Sequence, residues 1–253
     1  MQVKRVSITV FSVLFSLLLP SLVYAQRNQP EVVSIPDANL ATAVREIIGD
    51  SITTHTLLDL TGLRVEERGI ENLTGLEHAR NLRRLHLQRN AISDISPLAG
   101  LTQLTELLLS VNNISDVSPL VELKKPPAVY MNQNPLSYDS INTHIPVIQA
   151  KGIEIGFDER VPRYLVTISD PTEQGAVNSP FPLRFVVEVQ DQRRKPFSGV
   201  PVTFGITVGD GTLTAADRRT DATGKATARL KLGRTVGTTV VRVTAAHIQH
   251  PDL

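Results

Sequence analysis

Ten positions of this chain recur after 22 residues, and that period constrains the fold more than any other feature. Leu82, Leu85, Leu87, Asn90, Ile92, Asp94, Ile95, Pro97, Leu98 and Leu101 are followed by Leu104, Leu107, Leu109, Asn112, Ile114, Asp116, Val117, Pro119, Leu120 and Leu123. The one change, Ile95 to Val117, is conservative. A fixed period of this length means stacked supersecondary units, each burying its apolar side against the next. The pattern continues outward in weaker form. One period upstream it reads Leu60, Leu63, Val65, Ile70, Leu73 and Leu76, with Arg68 at the asparagine position. One period downstream it reads Pro126, Val129, Met131, Asn134, Leu136 and Ile141. Two strong copies between two degraded ones suit a short solenoid, whose end units need polar outer faces.

Each position has a physical reading. Strand side chains alternate, so Leu85 and Leu87 point inward and His86 points out. Asn90 stands where the chain leaves the strand, and its amide can both donate to and accept from main-chain groups that the turn leaves unpaired. Stacked copies at Asn90, Asn112 and Asn134 are expected to form a ladder. The tract from Asp94 to Leu98 then starts a short helical return, with Asp94 or Ser96 as cap and Pro97 at a first helical position.

The outward positions fall into columns. Arg64, His86, Leu108 and Tyr130 form one; Glu66, Gln88, Ser110 and Asn132 form a second; Arg84, Glu106 and Ala128 flank them. Neighbouring strands lie about 4.8 Å apart, so each column is a continuous stripe on the concave side. Solenoids use that side to bind. Tyr and Arg are common anchors of interfaces. These residues, Ala128 apart, are the candidate ligand-binding set.

Other features bound the answer. Lys4 and Arg5 precede an apolar run from Val6 to Leu19, Pro20 breaks it, and Val23-Tyr24-Ala25 has the small-x-small form of a cleavage site. Residues 1–25 therefore read as a secretory signal, with export to a secreted or cell-surface location and the periplasm as the alternative. No later stretch reads as a transmembrane span. Cysteine is absent, which excludes disulfides, a thiol nucleophile and thiolate metal sites. Residues 26–158 hold 11 Lys/Arg against 16 Asp/Glu, and residues 159–253 hold 13 against 9. That split supports two domains, and neither is basic enough for a nucleic-acid binder.

Flanking the repeats, Ile35-Pro36-Asp37 opens a helix with Asp37 as N-cap, Leu40, Val44, Ile47 and Ile48 on one face, and Gly49 at the end. This helix is expected to cover the open end of the repeat core. Residues 136–151 read as a closing helical segment, 153–157 as an edge strand and 158–162 as a linker. Beyond it the pattern changes to short alternating strands at 164–169, 183–189, 200–207, 226–232 and 238–245, separated by turn residues, which reads as a β-sandwich.

Two resemblances cover nearly all of the chain after residue 25. The tracts at 90–98 and 112–120, Asn-x-Ile-Ser-Asp-Ile/Val-Ser-Pro-Leu, with the helix before them, resemble the internalin-type leucine-rich repeats of bacterial surface proteins. Residues 199–204, 209–213, 220–226 and 237–243 resemble the group 1 bacterial Ig-like domain of invasins and intimins, which implies one further strand to complete the sandwich. The expected architecture is thus an α/β leucine-rich-repeat solenoid with a helical N-cap over 26–158, followed by an all-β immunoglobulin-like sandwich over 159–253.

Catalytic constellations do not emerge. His247 and His250 are three residues apart without companion ligands, and His78 and His86 stand alone, so no metal or cofactor is expected. Thr223-Gly224-Lys225-Ala226 lacks the earlier glycine of a phosphate loop and reads as a hairpin turn. Asp94, Asp116 and Asp139 recur near the repeat spacing and read as caps. The expectation is a non-enzymatic binding or adhesion protein that recognises a protein or glycan on another cell or in the matrix. The alternative is a structural module of a larger envelope protein with no ligand of its own.

Overall fold

The computed structural model describes residues 30–123, 128–169, 174–179 and 182–248, so the expected signal at 1–25 and Pro126 lie outside the described residues. Asp37 caps α1 (Ala38–Ile48), accepting from the main-chain N–H of Asn39 and Leu40 at 3.0 Å. Its second carboxylate oxygen accepts from Glu71 and Asn72, tying the helix to the first full repeat. Burial presses the Asp37 pKa upward, but the four N–H donors outweigh it and hold the carboxyl below the usual carboxylate range. Gly49 ends the helix at φ +85°, a conformation only glycine adopts freely.

Each period then lays down one three-residue strand: β1 (Gly62–Arg64), β2 (Arg84–His86), β3 (Glu106–Leu108) and β4 (Ala128–Tyr130). All are parallel, in the register that the repeat dictates: Leu63, Leu85, Leu107 and Val129 stand side by side. Short 3-10 helices such as Ser96–Leu98 and Ser118–Glu122 form the return side, each with proline in its first turn. Asp94 and Asp116 are not the caps that the sequence suggests: the N-cap positions are Ile95 and Val117, without a side-chain cap bond. The two carboxylates instead accept from the N–H of Ser96 and Ser118 at 2.8 Å in the turn that leads into each helix.

The asparagine ladder is present and carries the stacking. Asn112 donates to Leu87 O and Leu109 O at 2.9 and 3.0 Å and accepts from Ile92 N at 3.1 Å. Asn134 repeats the pattern with Leu109, Met131 and Ile114. Asn90 bonds Val65, Leu87 and Ile70 in the same way. Each asparagine thus links its own turn to the preceding repeat. The repeat closes with a π-turn (Ser140–His144), α2 (Ile145–Ala150) and the edge strand β5 (Ile155–Gly156), parallel to β4.

The remaining strands are β6 (Pro162–Thr167), β7 (Leu183–Asp191), β8 (Val202–Val208), β9 (Gly211–Thr214), β10 (Lys225–Leu232) and β11 (Val240–Ala245). They form two antiparallel sheets, β6-β7-β10-β9 and β11-β8. Val187, Val189, Val202, Ala226 and Ala245 share one core between the sheets, the sandwich that the alternation implied. Gly224 makes the hairpin turn before β10 at φ +75°. A Cβ there would come within 2.8 Å of Phe197 N.

Three further expectations are corrected. Strand β9 was not foreseen, because Gly209-Asp210-Gly211 dominates its four residues as a turn signal. Asp139 stands at the cap position of the π-turn but makes no cap bond; it pairs with Arg219 of the sandwich at 2.7 Å. The stretch read as a linker is pinned. Arg160 is 7% exposed, its Nε donates to Asp191 at 2.8 Å, and its other nitrogens donate to Leu136 O and Pro196 O. Its guanidinium also lies 4.5 Å from the Phe197 ring centroid.

Candidate functional site

The strand register assembles the outward columns. Arg64 faces His86, His86 faces Leu108 and Leu108 faces Tyr130; in the flanking column Gly62, Arg84, Glu106 and Ala128 align. Main-chain bonds from Glu67 N to Gln88 O, Arg89 N to Ser110 O and Val111 N to Asn132 O carry the alignment into the column of Glu66, Gln88, Ser110 and Asn132. The leucines between them are buried, so the outward set is held by a rigid sheet.

Local contacts differentiate the two ends. Arg64 pairs with Glu66 at 2.9 Å, largely in solvent, where such a pair contributes little to stability. His86 Nε2 lies 3.3 Å from Glu106 Oε1 but off the hydrogen-bonding direction, so the nitrogen is shielded from water without a true partner. Gln88 Oε1 is likewise unpaired. At the other end Tyr130 is 38% exposed, lies against Gly156, and directs its hydroxyl toward Glu154 at 3.5 Å. Leu108 beside it is half-buried, which leaves a small apolar step next to an aromatic ring.

The N-terminal end of this face opens into a 460 Å³ cleft between the last turns of α1 and strands β1 to β3. Arg64, Arg84, His86 and Glu106 of the candidate set line it, together with residues that sequence reasoning missed: Glu46, Gly62 and Arg68. Ile47, expected on the buried face of α1, lines it too and is 53% exposed. The covering stripe is centred on Leu40, Val44 and Ile48, and one residue of helix rotation turns Ile47 away from the core. Gly62 carried a readable signal, a glycine in a strand column otherwise filled by side chains.

Among the described residues no group of three or more His, Cys, Asp or Glu side chains could hold a metal ion. No helix among them is long and apolar enough to cross a membrane.

The family model for leucine-rich repeats in two copies matches residues 80–138. Residues 80–138 are leucine-rich repeats. No curated protein matches the sequence. Among solved structures, an internalin (InlF) from Listeria monocytogenes is 34% identical with a TM-score of 0.42, over 44% of this chain and 35% of that one. The functional domain of InlJ from Listeria monocytogenes is 26% identical with a TM-score of 0.32, over 43% of this chain and 28% of that one. The CBM51-2 and INT domains of Clostridium perfringens ZmpB are 17% identical with a TM-score of 0.33, over 90% of this chain and 37% of that one. The chain therefore spans about a third of the length of the first of these internalins.

Proposed function

We propose that this is an exported, non-enzymatic binding protein whose repeats recognise a protein or glycan ligand through the concave face. In this reading residues 1–25 direct export, residues 26–158 recognise the ligand, and residues 159–253 serve as spacer and presenter. The chain acts in the secreted or cell-surface space. The observation that carries the proposal is the outward column Arg64, His86, Leu108 and Tyr130, in register across four strands above a buried leucine layer. A rigid platform with aromatic and guanidinium anchors costs little ordering entropy on binding. The pinned Arg160 joint supports the presenter role, because it fixes how the face is offered.

The test is binding of the labelled chain to panels of host-cell and matrix proteins and glycans. Tyr130→Ala and Arg64→Ala are expected to weaken binding by about 2 kcal/mol or more if they are anchors, with the melting temperature nearly unchanged. Ser93→Ala, on the convex side, is expected to leave affinity as it was. Binding that survives both concave substitutions would move recognition to the sandwich, and a chain that binds nothing on the panels would favour a structural module.

A further inference from the structure

The cleft beneath α1 adjoins the open concave face. Gly62 occupies the position that Arg84, Glu106 and Ala128 fill in the other strands. The fold does not require a glycine there. A Cβ at residue 62 would meet only Arg84 O at 3.9 Å, ordinary contact, and the backbone is not in the left-handed region. With the strand register continuous at Gly62, and so no bulge, close approach of a ligand is among the remaining reasons for a strand glycine. The space it leaves is bordered by Ile47, more than half exposed although α1 exists to bury apolar surface.

The polar lining has a definite character. Arg64 is occupied by Glu66, and His86 lies against Glu106. The side chains of Arg68 and Arg84 have no hydrogen-bond or ion-pair partner among the described residues, and both line the cleft. Glu46 is the one acidic group there without such a contact. A guanidinium with free donors matches a carboxylate in a two-point geometry. Among the described residues no Phe, Tyr or Trp ring lines the cleft, so a sugar ring has no broad apolar face to lie on. The volume falls within the usual range of ligand pockets, about 300–1,000 Å³.

We propose that this cleft is a specificity pocket for an acidic peptide segment of a protein partner, taking an aliphatic side chain into the space over Gly62 and a neighbouring carboxylate onto Arg68 and Arg84. The proposal rests on the concave-face reading and narrows it: the partner is a protein, and its anchoring segment is acidic and aliphatic. The aliphatic group lies against Ile47, and the carboxylate fixes the segment's direction along the sheet.

Fluorescence anisotropy of the full chain with a labelled nonapeptide alternating glutamate and leucine tests it. Saturable binding is expected, weakened roughly ten-fold in Gly62→Leu, which fills the space while the melting temperature holds. Arg84→Ala and Arg68→Ala are expected to weaken it about five- to ten-fold each, and Ile47→Ser about five-fold. A lysine–leucine peptide and a glutamate–serine peptide are expected to bind far more weakly. Absent or non-saturable binding, or equal binding by the lysine–leucine peptide, overturns the proposal. So does affinity unmoved by Gly62→Leu. Tighter binding of an oligogalacturonate, insensitive to Ile47→Ser, overturns it in favour of an acidic glycan. Peptide binding lost in Tyr130→Ala but kept in Gly62→Leu overturns the pocket while leaving the concave-face reading intact.

Discussion

In the repeat body thirty-three buried apolar residues form one continuous cluster from Leu40 to Ile155, whereas the sandwich gathers seven, among the described residues. The contrast follows from architecture. Every repeat presents both of its flat sides to neighbours, and α1 covers the first one, so each leucine layer is closed above and below. The sandwich sets a four-stranded sheet against a two-stranded one. Part of the larger sheet's inner face, around Leu183, Phe185 and Leu232, therefore looks across a 670 Å³ cleft toward Val241 and Val243. Val208 and Val240 are 54% and 41% exposed on the smaller sheet. A solenoid obtains tight burial from periodicity, while a sandwich obtains it only where its two sheets match in width.

The two bodies are nevertheless fastened together, and the joint is the first place to break the contrast. Arg160 is satisfied on Nε, Nη1 and Nη2 by groups from both bodies, and Asp191 takes N–H bonds from Arg193 and Lys195 besides the arginine. Tyr138 N adds a bond to Ser198 O at 3.0 Å. Arg160→Ala leaves Asp191 buried without its cation, a change that costs about 3–5 kcal/mol at such sites. In urea titrations followed by hydrogen exchange, the parent is expected to lose both bodies together and the variant to lose the sandwich first. Replacing both partners, Arg160→Met with Asp191→Leu, is expected to recover a large part of the loss. An unchanged midpoint in Arg160→Ala would show that the bodies are independent.

A smaller effect compares one buried polar residue from each body. Asn112 makes three bonds across two repeats, and Asn112→Leu is expected to cost about 1–3 kcal/mol, because several main-chain groups lose their partner at once. Thr220 serves the sandwich in a similar way, donating to Phe197 O and accepting from Val200 N, but it makes two bonds to a single loop where Asn112 makes three across two repeats. Thr220→Val is expected to cost about 1 kcal/mol. Asn113→Ala, whose side chain reaches only Ala91 O at 3.5 Å in solvent, is expected to be nearly silent. Equal denaturation midpoints for Asn112→Leu and the parent would sink the ladder as a source of stability.

What could be read in the sequence divides along the same line. In the repeats, period alone assigns Leu85, Asn90, Ile92 and Leu98 to layer, ladder and return, because every copy is a second measurement of the first. The outward columns followed from strand alternation. The cleft did not, since it depends on how far α1 rotates over β1, which turns Ile47 outward, and no repeat reports that angle. In the sandwich, alternation located the strands that carry four or more apolar-polar steps and missed β9, where two turn glycines outweigh Leu213. The joint was hidden because Arg160 reads as one charge in a polar connector. Only the approach of Leu136, Asp191 and Pro196 from distant parts of the chain makes it a buried residue.

The smallest effect compares carboxylates. Asp37 and Asp221 are both held below the usual carboxylate range; burial presses each upward and main-chain N–H donors outweigh it. Asp221 serves only its own turn, through Thr223 and Lys225, whereas Asp37 joins α1 to Glu71 and Asn72 more than thirty residues away. A carboxyl with a lowered folded pKa takes up its proton later in the folded than in the unfolded chain. The stability it contributes is therefore whole above the unfolded value, about pH 4, and is lost as pH falls through the folded value. Asp37→Asn keeps an oxygen for the cap but loses the charge and the second oxygen that accepts from Glu71 and Asn72. The loss is expected to cost about 1 kcal/mol at pH 6, and the gap to the parent is expected to close as pH falls below about 4 through the lowered folded value. Hydrogen exchange should speed at Glu71 and Asn72 in that variant, because the cap helix loosens from the repeat. In Asp221→Asn the change should stay within the hairpin turn before β10. A gap in Asp37→Asn that persists unchanged to pH 2 would mean that packing of Leu40 and Val44, and not the carboxylate, holds the cap in place.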